Sequence, residues 1–563
     1  MKKRRTLAVL AVATAFGLVG GVFVSKMAAD DDDHQSRHFQ FAEGSLVLSR
    51  SVYSGTPGTI TVGQTLPPGC VPGTITLPLL AGGTTTVKIK AGSSSGCNTA
   101  VADGTYPTVF NNDGADGSFG ITSPIFLDNI TTDGWLLDTL PIQSDQIVTS
   151  FSSKSELALN LATDGKSITF GGYRGGPGFV TGPNQLDVSN SNTPGVVDPT
   201  NPVSSQYYRS VGEVDADGHL TITEGNAYSG NNGRAAIKAH SLYYMTGNDN
   251  NGGLSASQLT GTQVGVNLVT STGVELLVPG QAPPVPPNIN KVGEFSVTQV
   301  GYTTADKPGK DNNFRGLTIF HNTLYVTKGS GGNGINTVYQ VGTAGILPKG
   351  STTALVAEPI TILPGFPTTL ASGTALDGTT GNPVAFPFGL WFADEHTLYV
   401  CDEGDGTLVT PAPANGNVAD AATLATAGVQ KWSLVDGTWK LLYVLQDGLN
   451  IGVPYSVANY PTTLNPATDG CRNITGRHNF DGTVTIYAVT STVSASGDQG
   501  ADPNKLVKVT DLLKATTLPV GDGDRNWDNG LGHFATIRSA QSGEVLRGVA
   551  FAPSDHDDHH DRW

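Results

Sequence analysis

All-β, and built as a closed circle, is the fold class that three features of the sequence predict. Composition favours strands and turns over long helices. A strand–turn–strand pair recurs along the chain, and its last copy stops half-made, with the missing strands at the other end. Gly 72 and Pro 33 make up under a fifth of the 563 residues, below the roughly 25–30 % at which low complexity sets in. The charged fraction of 14 % is low against an average of about 25 %, whereas coiled coils and long bundles need charged faces. The formal charge of −16 is more negative still without the cations of the first 26 residues. It repels nucleic acid and anionic lipid, so neither is an expected partner.

The chain opens on Lys2-Lys3-Arg4-Arg5 and an apolar run from Leu7 to Val24, the layout of a secretory signal. Export is expected, to a periplasmic, extracellular or cell-surface location. Residues 1–29 read as a signal peptide or as an uncleaved anchor, because the run approaches a bilayer-spanning length and Ser25-Lys26-Met27-Ala28-Ala29 is a poor small-x-small cleavage site. No later run reaches about 18 apolar residues, so no further membrane span is expected. Residues 30–38 form an acidic linker, 39–553 one domain and 554–563 a His/Asp-rich tail.

Four cysteines suit an oxidising compartment. Cys70 and Cys97 flank a Gly/Thr/Ser-rich segment inside the insertion 54–119 and are expected to form a loop-closing disulfide. Cys401 ends a strand and Cys471 begins the next unit; either a bridge or two buried thiols fits them. No CxxC occurs, so a thiol–disulfide oxidoreductase and a Cys-based zinc site have no support.

The repeat comes next. Glu156-Leu-Ala-Leu159 leads through Asp164-Gly165 into Ser167-Ile-Thr-Phe170, and Gly233-Arg-Ala-Ala-Ile237 into Ser241-Leu-Tyr-Tyr-Met245. Asn313–Phe320 leads through His321-Asn322 into Thr323-Leu-Tyr-Val-Thr327. Phe386–Asp394 leads through Glu395-His396 into Thr397-Leu-Tyr-Val-Cys401, and Asn473–His478 through Asp481-Gly482 into Val484–Val489. These are hairpins with turn-type residues between β-rich runs. Further β-rich runs follow each, such as Gly428–Leu434 and Thr438–Val444, and four strands per unit is the blade of a β-propeller. Leu546–Pro553 supplies only a first strand, and Ser45–Ser49, Pro124–Asp128 and Trp135–Leu140 are its expected partners. Pairing the two ends would bury edges that otherwise invite aggregation. Six four-stranded blades are expected, or seven if Ala282–Tyr302 hides another, with a β-sandwich plus accessory domains as the alternative. Insertions at 54–119, 175–204, 370–383 and 411–427 account for a unit longer than the usual propeller repeat.

Phe41–Arg50, Ser155–Asn160, Ser229–Ala236 and the closing Leu546-Arg-Gly-Val-Ala-Phe-Ala-Pro553 resemble uncharacterised exported bacterial β-propeller proteins, over nearly the whole chain after the leader. That family carries no established activity, so the resemblance implies a fold and no catalytic residues. The stretch Leu398–Gly404 is also similar to lactonase-type and NHL-type propellers, over too short a span to transfer chemistry.

Propeller geometry decides which residues can meet. Aligned first strands put Glu156, Arg234, Arg315 and Arg547 at equivalent starting positions, with Phe388 and Thr475 in the other two units. Guanidiniums gathered round one axis favour a carboxylate or phosphate that accepts bidentate hydrogen bonds; the plainer reading is that each Arg satisfies carbonyls and carboxylates of neighbouring blades. Loops after the second strands are oxygen-rich: Asn248–Asn251, Lys328–Asn333, and Asp402-Glu403-Gly404-Asp405. Asp402, Glu403 and Asp405 are candidates to seed a calcium site, or are solvated turn carboxylates. His240, His321, His396 and His478 belong to turns on the opposite rim, and His219 follows another turn. In the tail, His556, His559 and His560 stand among aspartates, a weak transition-metal tract or a solvated acidic end. His-Glu-x-x-His and Walker motifs are absent from the sequence, and the catalytic residues are unknown. The expected function is an exported binding or interaction protein engaging a small anion, a glycan or a surface partner at an Arg-lined channel mouth. The alternatives are a calcium-dependent hydrolase of phosphate esters or lactones, and a structural envelope protein.

Overall fold

The computed structural model describes residues 39–52, 65–66, 73–78, 84–89, 98–99, 122–151, 153–154, 156–174, 209–225, 233–247, 266–270, 291–294, 314–329, 334–349, 358–369, 385–406, 425–460, 462–494, 500–519 and 531–555. The leader, Cys70, Cys97, the 248–251 loop, Asn333, His556, His559 and His560 lie outside them. Among the described residues the chain is all-β, a propeller of small antiparallel sheets.

The ends of the domain share one sheet. β1 (Leu46–Val52) is followed by two small pairs within the 54–119 insertion, β2 (Thr65–Leu66) with β5 (Asn98–Thr99) and β3 (Gly73–Pro78) with β4 (Thr84–Ile89). Then come β6 (Thr122–Ser123), β7 (Ile125–Ile130), β8 (Leu136–Pro141) and β9 (Ile147–Ser150). The final strand, β30 (Glu544–Phe551), pairs antiparallel with β1, and the sheet order is β30-β1-β7-β8. The half-made last unit is thus completed by the three segments expected of it.

Four further sheets hold their strands in chain order. They are β14 (Gly233–Ala239), β15 (Leu242–Gly247), β16 (Val266–Thr270) and β17 (Lys291–Glu294); β18 (Phe314–Phe320), β19 (Thr323–Lys328), β20 (Thr337–Val341) and β21 (Ile360–Ile362); β22 (Pro387–Asp394), β23 (Thr397–Asp402), β24 (Gly428–Val435) and β25 (Thr438–Leu445); and β26 (Ala467–His478), β27 (Thr483–Val493), β28 (Lys505–Leu512) and β29 (Ala535–Ser539). The region that hid a possible extra blade supplies β17. His321 and Asn322, between β18 and β19, both have positive φ (45° and 54°), as a two-residue turn matched to strand twist requires.

The expected count of six four-stranded blades is corrected to five. In the remaining unit β10 (Asn160–Leu161), β11 (Ser167–Arg174), β12 (Arg209–Asp215) and β13 (Leu220–Gly225) join a six-stranded sheet ordered β13-β12-β11-β9-β6, with β10 also on β11. The cause is competition for one edge. β9 pairs with Tyr173 and Arg174 at one end of β11, which leaves Thr169 and Ile168 for β10.

Contacts between innermost strands run β30 to β10, β14, β18, β22, β26 and back to β30. The apolar core is spread over the joints between sheets. Leu390 and Phe392 pack toward the β18 sheet, whereas Ala393 and, partly buried, Trp391 pack toward the β26 sheet. Inner strands are therefore buried on both faces and read as nearly continuous apolar runs.

Candidate functional site

The hairpin register explains what the inner strands present. In each four-stranded sheet the pairing slips near the start of the inner strand: between Gly233 and Ala235, Phe314 and Leu317, Pro387 and Leu390, Cys471 and Asn473 (after an earlier slip between Thr468 and Cys471), and opposite Ser49 and Arg50 at Arg547. A bulge leaves the inserted residue out of the ladder and re-aims its side chain. The inserted residues are Arg234, Arg315 with Gly316, Phe388 with Gly389, Arg472, and Arg547. Glu156 holds the matching place just before β10. Arg234, Arg315, Arg547 and Glu156 thus hold corresponding positions near the starts of their inner strands, and Phe388 holds the same position in the β22 sheet.

Arg472 replaces Thr475 in that ring. The strand begins at Ala467, six residues before the Asn473 that opens its apolar pattern, and so its phase is set earlier than that pattern implies. The signal that finds Arg472 is its context, Arg then a small or short residue then an aliphatic one, shared by Arg315-Gly-Leu, Arg547-Gly-Val and Arg472-Asn-Ile. The small residue has a steric cause: a Cβ on Gly316 would lie 2.1 Å from the Phe388 carbonyl oxygen, and one on Gly548 2.4 Å from that of Leu157.

All five charged residues of the ring are at most 5 % exposed, so each needs compensation. Arg472 Nε donates to Glu403 Oε2 at 3.0 Å. Glu156 accepts from Thr149 Oγ1 at 3.0 Å and from the Tyr173 hydroxyl. Arg547 donates to the Phe151 carbonyl and reaches Ser51 Oγ at 3.4 Å. The Arg315 guanidinium lies 5.6 Å from the Phe388 ring centroid, within cation–π range.

In the acidic loop Asp402 and Glu403 are engaged within the protein. Asp402 is fully buried and accepts from the Phe386 and Gly404 amides (2.8 and 3.0 Å) and from Gln430 Nε2 (3.0 Å). Burial pushes its carboxyl up to about 7, against those amide donors, and Glu403 adds to the rise. Glu403 faces Arg472, and Gly406 N–H turns instead to Asp469 Oδ2 at 2.9 Å. No group of three or more His, Cys, Asp or Glu among the described residues is arranged to hold a metal ion. Lys328, equivalent to Asp402 in the neighbouring sheet, is also fully buried and donates to Asn336 Oδ1 at 3.1 Å. Beside this loop Cys401 and Cys471 form a disulfide, with Cα atoms 5.2 Å apart, that joins β23 to β26.

The other end of the inner strands opens into a cavity of about 320 Å³, which sequence reasoning missed. Every innermost strand contributes: Leu159, Ile237, Ile319, Leu390, Ile474 and Val549 line it, with Asp164, Arg477 and His478 at its mouth. His240, His321, His396 and His478 are exposed on the turns at this end, so they stand away from the guanidiniums, as expected. His219 is exposed too, 3.1 Å from Asp215.

The chain matches no protein-family model and no curated protein. Solved structures that it resembles include an ACO/RPE65 chimera (10 % identity, 77 % of this chain and 60 % of that one, TM-score 0.20). Another is the extracellular domain of a putative one-component system from B. thetaiotaomicron (8 %, 83 % and 49 %, TM-score 0.20). A third is a tryptophan-to-alanine mutant of the Synechocystis apocarotenoid oxygenase (9 %, 91 % and 72 %, TM-score 0.19). The chain thus spans 60 % of the first of these. Likenesses this slight carry no inference about chemistry.

Proposed function

We propose that this is an exported binding protein whose guanidinium ring receives a small anion, a carboxylate or a phosphate group. The observation that carries the reading is the repeated bulge: a register slip leaves Arg234, Arg315, Arg472 and Arg547 out of four separate ladders at corresponding positions of their strands. Packing alone does not call for arginine there, because Phe388 fills the equivalent place in a fifth sheet. Guanidiniums present rigid, planar donor forks that suit oxyanions better than ammonium groups do. The Cys401–Cys471 bond supports export, since such bonds are rare in reducing compartments. The acidic chain argues against nucleic acid as the partner.

Calorimetric titration with inorganic phosphate and with citrate at low ionic strength tests the reading. Binding by the intact chain, lost when Arg315→Met and Arg547→Met are combined in a protein of unchanged circular dichroism, is the expected result. Equal affinity in the double variant would sink it.

A further inference from the structure

The cavity at the opposite end has its own chemistry. Its volume of about 320 Å³ sits at the small end of the roughly 300–1,000 Å³ typical of ligand sites. Each innermost strand of the four-stranded sheets has a ladder partner along one edge only; along the other, the Val549 amide is engaged by Asn473 Oδ1 and the Ala236 carbonyl by Asn160 Nδ2 and Thr169 Oγ1, so only the remaining groups of that edge are offered to a ligand. The walls therefore combine aliphatic side chains with strand backbone. Of Trp391, Phe392 and Phe551, which line it, the first two have covered rings, and Phe551 is partly buried and meets Tyr487 in a T-shaped contact with centroids 5.9 Å apart. Trp391 is packed against Gly476, where a Cβ would lie 2.6 Å from the indole, and stacks on Tyr399 with centroids 5.7 Å apart. Phe392 stacks on Phe320 at 4.7 Å. A sugar, which is held by an open aromatic face, finds none on these two rings.

Charges of both signs stand at the mouth. Asp164 follows β10, and its Oδ1 accepts the Lys166 amide at 3.0 Å, which fixes the carboxylate on its turn. Arg477 lies near the end of β26; the neighbouring Asp133 is held by Lys508 at 2.6 Å. A long-chain acid would match Arg477 and the aliphatic walls but would set its tail against strand edges and its head near Asp164. A zwitterion meets every one of these features.

We propose that this mouth binds a short peptide with aliphatic side chains. Its carboxylate faces Arg477 and its ammonium faces Asp164. Its side chains lie among Leu159, Ile237, Ile319, Leu390, Ile474 and Val549. Its peptide groups bond to open strand edge, as in strand addition.

The test is calorimetric titration of the full chain with leucyl-leucine, with its N-acetyl form and with its C-terminal amide. Leucyl-leucine is expected to bind, and each blocked form to bind about fivefold more weakly, the worth of one exposed ion pair. Arg477→Gln should abolish the difference between acid and amide. Asp164→Asn, which keeps an acceptor for the Lys166 amide, should abolish the difference between free and acetylated amine. Thr318→Trp, or Thr475→Phe if the first variant fails to fold, should fill the cavity and remove binding with the circular dichroism spectrum unchanged. No heat with leucyl-leucine at millimolar concentration, equal affinity for the blocked forms, or binding of methyl glucoside instead would each overturn the proposal. The site is independent of the guanidinium ring: combined Arg315→Met and Arg547→Met should leave leucyl-leucine affinity unchanged, and a loss there would count against separate sites.

Discussion

Two joints hold the ring together, and they are fastened in opposite ways. Where the chain's ends meet, β30 and β1 pair over seven positions, from Leu46↔Phe551 to Val52↔Glu544, with no covalent link. Outside that ladder, fully buried Asp128 accepts from Arg50 Nε (3.0 Å) and Nη2 (3.2 Å), from Arg538 Nη2 (3.0 Å) and from Thr139 Oγ1 (2.8 Å). Between the β22 and β26 sheets the Cys401–Cys471 bond does the fastening, beside another fully buried carboxylate, Asp511. Lys431 Nζ lies 2.9 Å from Asp511, and the hydroxyls of Tyr399 and Tyr443 donate to it at 2.6 and 2.9 Å. Burial raises both phenols well above their ordinary range, and the Asp511 charge adds to this.

The two carboxylates differ in what surrounds them. The arginines at Asp128 keep 14 % and 23 % of their side chains exposed, and Arg50 also reaches Glu544 at 2.8 Å. Lys431 keeps 1 %. Without Asp128, Arg50 keeps water and a second carboxylate; without Asp511, Lys431 keeps only neutral acceptors, the Leu512 carbonyl at 2.6 Å and the Tyr443 hydroxyl at 2.9 Å, and its sealed charge goes unbalanced.

The largest expected effect that would break this contrast is at the sealed joint. Asp511→Ala should cost about 3–5 kcal/mol in urea unfolding, because it strands Lys431 inside; a loss no greater than at Asp128 would erase the difference. Replacing Cys401 and Cys471 together by Ser should cost about 2–4 kcal/mol by release of the long unfolded-state loop, read as a lower thermal midpoint. Asp128→Ala should cost about 2 kcal/mol, the scale of charge-assisted hydrogen bonds partly replaced by Glu544 and water. The smallest effect concerns pH. The Asp402 carboxyl titrates near 7 in the folded chain but near about 3.9 when unfolded. Its contribution to stability is therefore greatest when it is protonated. That contribution falls as pH rises between those values and is constant above. Asp402→Asn should stay neutral, so it should lose less stability than the parent between pH 5 and pH 8; parallel curves would contradict the assignment.

What the sequence disclosed was local. Leu-Tyr-Val runs beside His321-Asn322 and Asp436-Gly437 disclose hairpins, because alternation and positive φ are properties of adjacent residues. The unfinished unit at Leu546–Pro553 disclosed the closure, because one strand cannot make a blade. Arg472 was hidden, since a bulge shifts strand phase without leaving a periodicity to read. The six-stranded sheet was hidden because β9 and β10 compete for β11, and their pairing depends on the whole fold. The joining of Lys431 to Asp511, and the gathering of six strand ends around a cavity, likewise depend on contacts between distant parts of the chain.

The position of β30 carries a consequence for how the molecule is made. Because β30 follows the other strands of the ring yet is the innermost strand of its sheet, β1 keeps one edge bare until β30 has been made. Until then the ring is an open arc. A polypeptide broken off before Glu544 would keep that edge available to other strands.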